Sequence, residues 1–182
     1  MHDLVPADVT LAVIPTVTAL TIRHFKHAKS DEGEEELEPK HPAVKFLLDA
    51  WNEGDLSDAH EHVAPDCEVY TNGLALEGEH AGPAMVRQAV ESWRAMVPDL
   101  TMELAQEVGD KDRIAIEFRI TGTHTGEAPE VAASGGAIDV EGSAFLTLHD
   151  GKIVEAWTVF DSLTLAAQMG ATEAPSWWPG QS

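Results

Sequence analysis

The sequence is poor in cysteine, lysine and aromatic residues. Cys67 is the one cysteine in 182 residues, so an internal disulfide is excluded and a reducing compartment, the cytoplasm, is the simpler prediction. It begins a predicted strand, where a buried hydrophobic role is commoner than a nucleophilic one. Aromatic residues make up only 6% of the chain, but a hydrophobic share of 43% still predicts a folded core.

The sequence also lacks a glycine-rich phosphate loop and an internal repeat. Its apolar run at 9–22 is too short to span a bilayer, and acidic residues precede it where a secretory signal needs positive charge. His60 and His62 stand two apart, which on a helix directs their imidazoles to different sides and disfavours a metal pair. We therefore expect no membrane span, no metal and no cofactor.

Basic residues are scarce, because 11 Lys and Arg face 32 Asp and Glu, giving a formal charge of -21. This charge repels nucleic acid phosphates and anionic membranes. The excess belongs to the domain itself, since 24 acidic and 7 basic residues remain after residue 40. It predicts a halophile's salt-rich cytoplasm, where screening relieves self-repulsion; an ordinary acidic mesophilic protein is the alternative.

Six acidic residues between Asp31 and Glu38 indicate a solvated linker. We divide the chain into an N-terminal arm with this linker (1–40), a main domain (41–172) and a C-terminal tail (173–182). The arm fits an extra strand, a strap across a partner subunit or a mobile extension. Trp177 and Trp178 in the tail are expected to pack on the sheet or on a dimer face.

The pattern of the main domain predicts helices first and strands afterwards. Apolar spacing and Pro or Gly boundaries predict helices at 42–53, 55–63, 83–97 and 162–169. Alternation predicts strands at 67–72, 99–108, 113–124, 137–148 and 152–160. This order is typical of an α+β fold in which helices cover one face of a bent antiparallel sheet.

Three segments carry a resemblance to a known family. These are AWNEGD at 50–55, GTHTGE at 122–127 and DGKIVEAWTVFD at 150–161. Together they resemble the SnoaL-like polyketide cyclases of the nuclear transport factor 2-like superfamily, over about residues 42–170. The resemblance implies a homodimer and a cone-shaped, curved antiparallel sheet packed on about three N-terminal helices, with an apolar cavity open at one end. Because this fold hosts many activities, function must be argued from the site.

Asp161 is the best candidate for a catalytic group. Alternation on the last strand puts it on the same side as Trp157. In the cyclases that the chain resembles, an aspartate four residues after the tryptophan faces the cavity and acts as general acid and base in an aldol ring closure. Apolar walls disfavour the charged form of a carboxyl and so suit it to proton shuttling. The alternative is that Asp161 only caps the helix that starts at Ser162.

Tyr70 and Asn72 are two apart in a predicted strand and could offer a hydroxyl and an amide to one site. The pair resembles the water-holding tyrosine and asparagine of limonene epoxide hydrolases. Those enzymes also need an aspartate two residues after the strand tryptophan, where this chain has Val159. An exposed tyrosine beside an Asn-Gly turn is the alternative.

Arg119 and His124 complete the candidate pocket residues, together with Trp157. The planar guanidinium of Arg119 could orient a carbonyl or carboxylate, although a solvated or cross-strand-paired arginine is commoner. His124 lies near a strand end, where it could transfer a proton at the cavity mouth or be an ordinary surface histidine.

The sequence thus predicts a cyclase or isomerase that moves a proton beside a carbonyl of a small hydrophobic substrate, with Asp161 as acid and base. Two alternatives remain open: a noncatalytic module that binds a small molecule or a partner chain in the same cavity, and an epoxide hydrolase.

Overall fold

The computed structural model describes residues 37–72, 74–75, 82–126 and 132–171. The predicted arm before residue 37 and the tail with Trp177 and Trp178 lie outside the described residues. Helices of the described part are α1 (Pro42–Glu53), α2 (Ala59–His62), α3 (Pro83–Met96) and α4 (Ser162–Gln168). None of its helices is long and apolar enough to cross a membrane.

Capping residues fix the ends of α1 as the sequence predicts. His41 precedes the helix, and its Nδ1 accepts a hydrogen bond from the backbone N–H of Ala43 at 3.1 Å. Pro42 occupies the first turn, where its missing N–H costs nothing. Gly54 ends the helix in the left-handed region at φ 73°.

The second helix is shorter than predicted. It covers Ala59–His62, whereas the prediction began at Asp55 and reached Val63. The Asp55 carboxylate accepts a hydrogen bond from the backbone N–H of Ser57 at 2.9 Å. This local turn competes with helix formation, so residues 54–58 stay non-helical.

Six strands of the described part form one curved, open sheet in the order β2-β1-β6-β5-β4-β3. They are β1 (Val63–Thr71), β2 (Leu74–Ala75), β3 (Thr101–Gly109), β4 (Arg113–Thr123), β5 (Ala137–His149) and β6 (Lys152–Phe160). The four predicted strands after residue 98 are confirmed, while the short β2 was not predicted.

One pairing departs from the antiparallel expectation, because β1 runs parallel to β6. The register between them shifts between Val63 and Glu68. Pro65 lies in this irregular stretch, where its missing N–H interrupts no regular ladder. All the other strands of the sheet lie between β1 and β6 in the chain. No hairpin therefore connects β1 to β6 and forces this pair to be antiparallel.

The two faces of the sheet differ in what covers them. One face, here the inner face, joins buried residues of α1 and the other helices in one hydrophobic core. On β4 it carries Ile114, Ile116, Phe118 and Ile120, all buried. The opposite face, here the outer face, carries the alternate residues Arg113, Ala115, Glu117 and Arg119, none of them buried. The predicted alternation of β4 is therefore confirmed.

Candidate functional site

Asp161 caps α4. The backbone N–H of Thr164 donates to its Oδ1 at 2.9 Å, and the Thr164 hydroxyl donates to its Oδ2 at 2.6 Å. The side chain is exposed, so the apolar surroundings expected for its carboxyl are not seen among the described residues. The capping alternative is thus observed, and a catalytic role for Asp161 remains a prediction.

Tyr70 and Trp157 meet on the outer face, where their strands pair. Their rings stack with centroids 4.2 Å apart and planes 11° from parallel. The Tyr70 hydroxyl donates to Glu68 Oε2 at 3.0 Å, and this hydrogen bond raises the Tyr70 pKa. Both rings therefore lie on the side that the helices leave uncovered. Val159 is 45% exposed on the same face.

Asn72 joins β1 to β6. Its backbone N–H donates to the Thr158 carbonyl at 2.8 Å, and its side-chain oxygen accepts from the Phe160 N–H at 3.0 Å. The residue has φ 51°, a left-handed conformation that asparagine tolerates better than most residues. Its amide oxygen is thus engaged in structure, and Asn72 and Tyr70 have different partners.

Arg119 pairs across the sheet on the outer face. Its Nε and Nη2 donate to the two carboxylate oxygens of Asp139 at 2.6 and 2.5 Å. This bidentate pair lowers the Asp139 pKa and raises that of Arg119, with the hydrogen bonds as the largest cause. Cross-strand pairing, the commoner fate of such an arginine, is what the structure shows.

His124 is the one predicted site residue that lies in the interior. It directly follows β4 and is 0% exposed. Its Nδ1 is 3.1 Å from the Ser134 hydroxyl oxygen and 3.4 Å from the Ser134 backbone nitrogen. Within the described residues, His124 Nε2 is buried without a hydrogen-bond partner.

Exposed polar groups hold the end of β4 beside His124. The backbone N–H and the hydroxyl of Thr123 donate to the Asp99 carboxylate at 2.7 and 2.8 Å. These hydrogen bonds lower the Asp99 pKa. The strand end is therefore tied to the turn between α3 and β3.

Sequence reasoning missed an aromatic cluster formed by Trp51, Trp93 and Phe160. Trp93 of α3 meets Trp51 of α1 edge-on at 6.1 Å and Phe160 of β6 edge-on at 5.7 Å. All three rings pack against the core but keep partial exposure. Helical spacing placed Trp51 and Trp93 on apolar helix faces, and strand alternation placed Phe160 opposite Trp157. No local signal showed that three elements would bring these rings together.

Backbone carbonyls and amides anchor this cluster. Arg94 Nη1 donates to the carbonyls of Trp51 and Asn52 at 2.9 and 3.0 Å. The Asn52 side chain exchanges two hydrogen bonds with the Met102 backbone, at 2.6 and 3.0 Å. The end of α1 is thereby fixed to α3 and to β3, so the rings have rigid supports.

Two further predictions concern reactive groups. Burial raises the pKa of the Cys67 thiol to about 11, which favours the thiol over the reactive thiolate and supports its hydrophobic role. The described part of the chain contains no group of three or more acidic, His or Cys side chains arranged to hold a metal ion. A surface pocket of about 200 Å³ lies between α1 and α2, lined by Phe46, His62 and others, and contains none of the predicted site residues.

Comparisons with known proteins place this geometry in a family. The family model described as SnoaL-like polyketide cyclase matches residues 41–169. IdmH of Streptomyces antibioticus, proposed to be a polyketide cyclase, is 30% identical with a TM-score of 0.58, covering 70% of this chain and 96% of its own. AclR of Streptomyces galilaeus, proposed to be a hydroxylase, is 27% identical with a TM-score of 0.61, covering 74% of this chain and 83% of its own.

TsrD of Streptomyces laurentii is also similar, at 27% identity and a TM-score of 0.61, covering 74% of this chain and 99% of its own. No curated protein matched the chain. The family match covers more than two thirds of the sequence and coincides with the whole helix-and-sheet unit described above. The chain therefore belongs to the SnoaL-like polyketide cyclase family.

Proposed function

We propose that this chain is a cyclase or isomerase that transfers a proton beside a carbonyl group of a small hydrophobic substrate. Family membership supports the reaction class. The observation that carries the proposal is the partly exposed aromatic cluster, which offers apolar ring surfaces to a hydrophobic molecule. Phe160 of this cluster directly precedes Asp161, so the proposed base follows the same strand, with its side chain on the Trp157 side by strand alternation.

Asp161 is the proposed acid and base. It would take a proton from the carbon beside the carbonyl and return it to another position, so no cofactor is needed. Each carboxylate oxygen accepts one hydrogen bond from Thr164 and keeps a further lone pair, and the exposed side chain leaves room for a substrate to approach it.

A substitution separates catalysis from capping. Asparagine and serine cap helices about as well as aspartate, whereas neither is a base. We therefore expect Asp161→Asn and Asp161→Ser to fold like the parent and to lose about 10²- to 10⁴-fold in proton-transfer rate. Asp161→Ala should lose both activity and about 1 kcal/mol of stability.

The measurement is hydrogen–deuterium exchange, followed by NMR in D₂O, at the methyl group of 2-acetylnaphthalene, a bicyclic ketone. Full exchange activity in Asp161→Asn would remove Asp161 from the mechanism. An exchange rate for the parent protein no faster than that of buffer with acetate at equal concentration would argue against the enzymatic proposal.

A noncatalytic binding module is the second candidate, because both carboxylate oxygens of Asp161 already have partners. This function predicts that the parent protein and Asp161→Asn bind the naphthyl ketone with equal affinity and that neither accelerates exchange. Isothermal titration alongside the exchange assay distinguishes the two candidates.

The chain is also proposed to form a homodimer through the outer face of the sheet. Pairing aligns Val108, Ala115, Phe145, Trp157 and Tyr70 in one row across five strands. Phe145 is 56% exposed and Trp157 39% exposed, which is unusual for such large apolar side chains. Charges of both signs flank the row, so a second copy could pair them.

The charge of -21 supports a salt-rich cytoplasm as the working environment. Screening at about 1 M salt shortens the Debye length to roughly 3 Å and should relieve the self-repulsion. We expect the midpoint temperature of thermal unfolding to rise as the KCl concentration is raised from about 0.1 M to about 2 M. A midpoint that is flat across this range would support the ordinary mesophilic alternative.

A further inference from the structure

The contacts of Nδ1 assign a tautomer to the neutral His124 ring. The Ser134 backbone N–H is only a donor, so the Nδ1 that faces it at 3.4 Å must be an acceptor. The Ser134 hydroxyl oxygen already accepts from the Gly136 N–H at 3.1 Å, which leaves its hydrogen free for the same Nδ1. A neutral imidazole with an acceptor Nδ1 carries its proton on Nε2. The unpartnered atom of His124 is therefore an N–H donor.

A buried donor without a partner is rare and destabilising in a folded protein. The backbone around His124 is nevertheless well held, because its N–H donates to Gly136 and its carbonyl accepts from Gly135, both at 2.9 Å. The Ser134 contacts fix the ring as well. The structure thus holds an unpartnered hydrogen-bond donor in a defined orientation, and a ligand atom is one partner that would satisfy it.

Neighbouring contacts locate this donor near the end of α3. Gly122, two residues before His124, approaches α3 so closely that an added Cβ would lie 2.3 Å from Val97 Cγ1. Gly126, two residues after it, donates its N–H to the Met96 carbonyl at 3.0 Å. His124 is therefore flanked on both sides by contacts with the last turn of α3.

The aromatic cluster belongs to the same helix. Trp93 precedes Met96 by three residues, which is a rise of about 4.5 Å along an α-helix. Gly126, two residues after His124, thus hydrogen-bonds to the helical turn that follows Trp93. Apolar ring surfaces and a single buried N–H donor suit a polycyclic ketone, which is apolar apart from one carbonyl acceptor.

We propose that the Nε2–H of His124 donates a hydrogen bond to a carbonyl oxygen of the hydrophobic ligand. This inference rests on the proposed function and names the group that receives the developing charge. When the C–H bond beside the carbonyl breaks, its proton passes to a base, for which Asp161 is the candidate. The electron pair moves to the carbonyl oxygen, and the neutral imidazole stabilises that oxygen without giving up its own proton.

The test compares two probes of nearly equal shape. These are 2-acetylnaphthalene, which has a carbonyl group, and 2-ethylnaphthalene, which has none. We expect the parent protein to bind the ketone on the order of tenfold more tightly, because only the ketone satisfies the buried donor. In His124→Phe this preference should fall to about one, while His124→Gln, which keeps an N–H donor, should retain part of it. His149→Phe is the matched control, since that side chain is 80% exposed.

A second measurement does not depend on any variant folding. In protein labelled with ¹⁵N-histidine, the His124 Nε2–H signal should shift when the ketone is added and stay in place with the hydrocarbon. Equal affinity for both probes, no ketone binding, an unmoved Nε2–H signal, or a preserved preference in folded His124→Phe would each overturn the proposal. A ketone preference without deuterium exchange would instead uphold the donor role and count against the enzymatic function.

Discussion

The two faces of this sheet carry large aromatic residues in opposite circumstances. Phe118 on the inner face is 3% exposed, and its ring lies against Gly142 of the neighbouring strand. Phe145 on the outer face is 56% exposed and stands beside Trp157. Strand alternation alone separates them, yet only one contributes to the core of the single chain. Apolar character therefore means burial in the folded chain on the inner face, whereas on the outer face it supports the proposed association.

The faces also differ in how they use polar groups. Polar side chains of the outer face pair with each other, as in the bidentate contact between Arg119 and Asp139. The polar side chain of His124 on the interior side has one nitrogen engaged and the other without a partner within the described residues. The outer-face pair is satisfied, whereas an unsatisfied buried donor is rare in a folded protein, and the proposed ligand contact would satisfy it.

Replacing the two phenylalanines by alanine is the strongest test of the comparison. Phe118→Ala leaves a cavity in a packed core and should lower the free energy of unfolding by about 3–5 kcal/mol. Phe145→Ala should change it by no more than about 0.5 kcal/mol in the monomer, because the ring is already solvated. Chemical denaturation monitored by circular dichroism gives both values.

A large loss for Phe145→Ala has two readings, which protein concentration separates. If the loss grows with concentration, the outer face is covered in a dimer, because association stabilises the parent by mass action. A large loss that is independent of concentration would contradict the distinction drawn between the faces.

Much of the fold follows from local signals in the sequence. Alternation on β4 and the Pro and Gly boundaries of α1 and α3 predicted elements that the structure confirms. The parallel pairing of β1 with β6 could not be predicted, since it joins strands far apart in the chain with no turn to fix their direction. The early end of α2 depends on one side-chain hydrogen bond of Asp55, which competes with helix formation.

The site was less predictable than the fold. Strand alternation predicted that Asp161 and Trp157 share one side of the last strand, and both are exposed in the structure. Alternation could not predict which side of the sheet the helices cover. Residue spacing also cannot reveal that Trp51, Trp93 and Phe160 meet, because they come from three elements. The burial of His124 depends on the contacts of the segment after β4, and no residue pattern predicted it.

A charge on the outer face should break the proposed dimer. Trp157→Glu adds a carboxylate to the apolar row, where a second copy would have to bury it, and should weaken association at least about tenfold. Leu163→Glu is the matched control, because Leu163 is 66% exposed but lies on α4, away from the row. Sedimentation velocity should find a dimer for the parent and the control and a monomer for Trp157→Glu. Dimers of unchanged affinity in all three would exclude this face, as would a monomeric parent.

The smallest expected effect concerns the exposed contact that holds the strand end beside His124. Hydrogen bonds from Thr123 lower the Asp99 pKa below its usual 3.8, so the folded state favours the ionised carboxylate. The contribution of Asp99 to stability is therefore complete above pH 3.8 and is lost as the pH falls through the folded-state pKa. Asp99→Asn should be less stable than the parent at neutral pH, and the difference should shrink in acid.

Thermal unfolding from neutral pH into the acid range measures this convergence. Asp66→Asn, at another exposed aspartate, serves as the control for lost charge. A stability difference between Asp99→Asn and the parent that persists unchanged in acid would mean that the Thr123 contact does not depend on the ionised carboxylate. The preference for the naphthyl ketone is measured in Asp99→Asn at neutral pH as well. Convergence of the stabilities in acid together with a lower ketone preference would mean that the contact between Asp99 and Thr123 positions the Nε2–H donor of His124. The two faces would then be coupled through the end of β4.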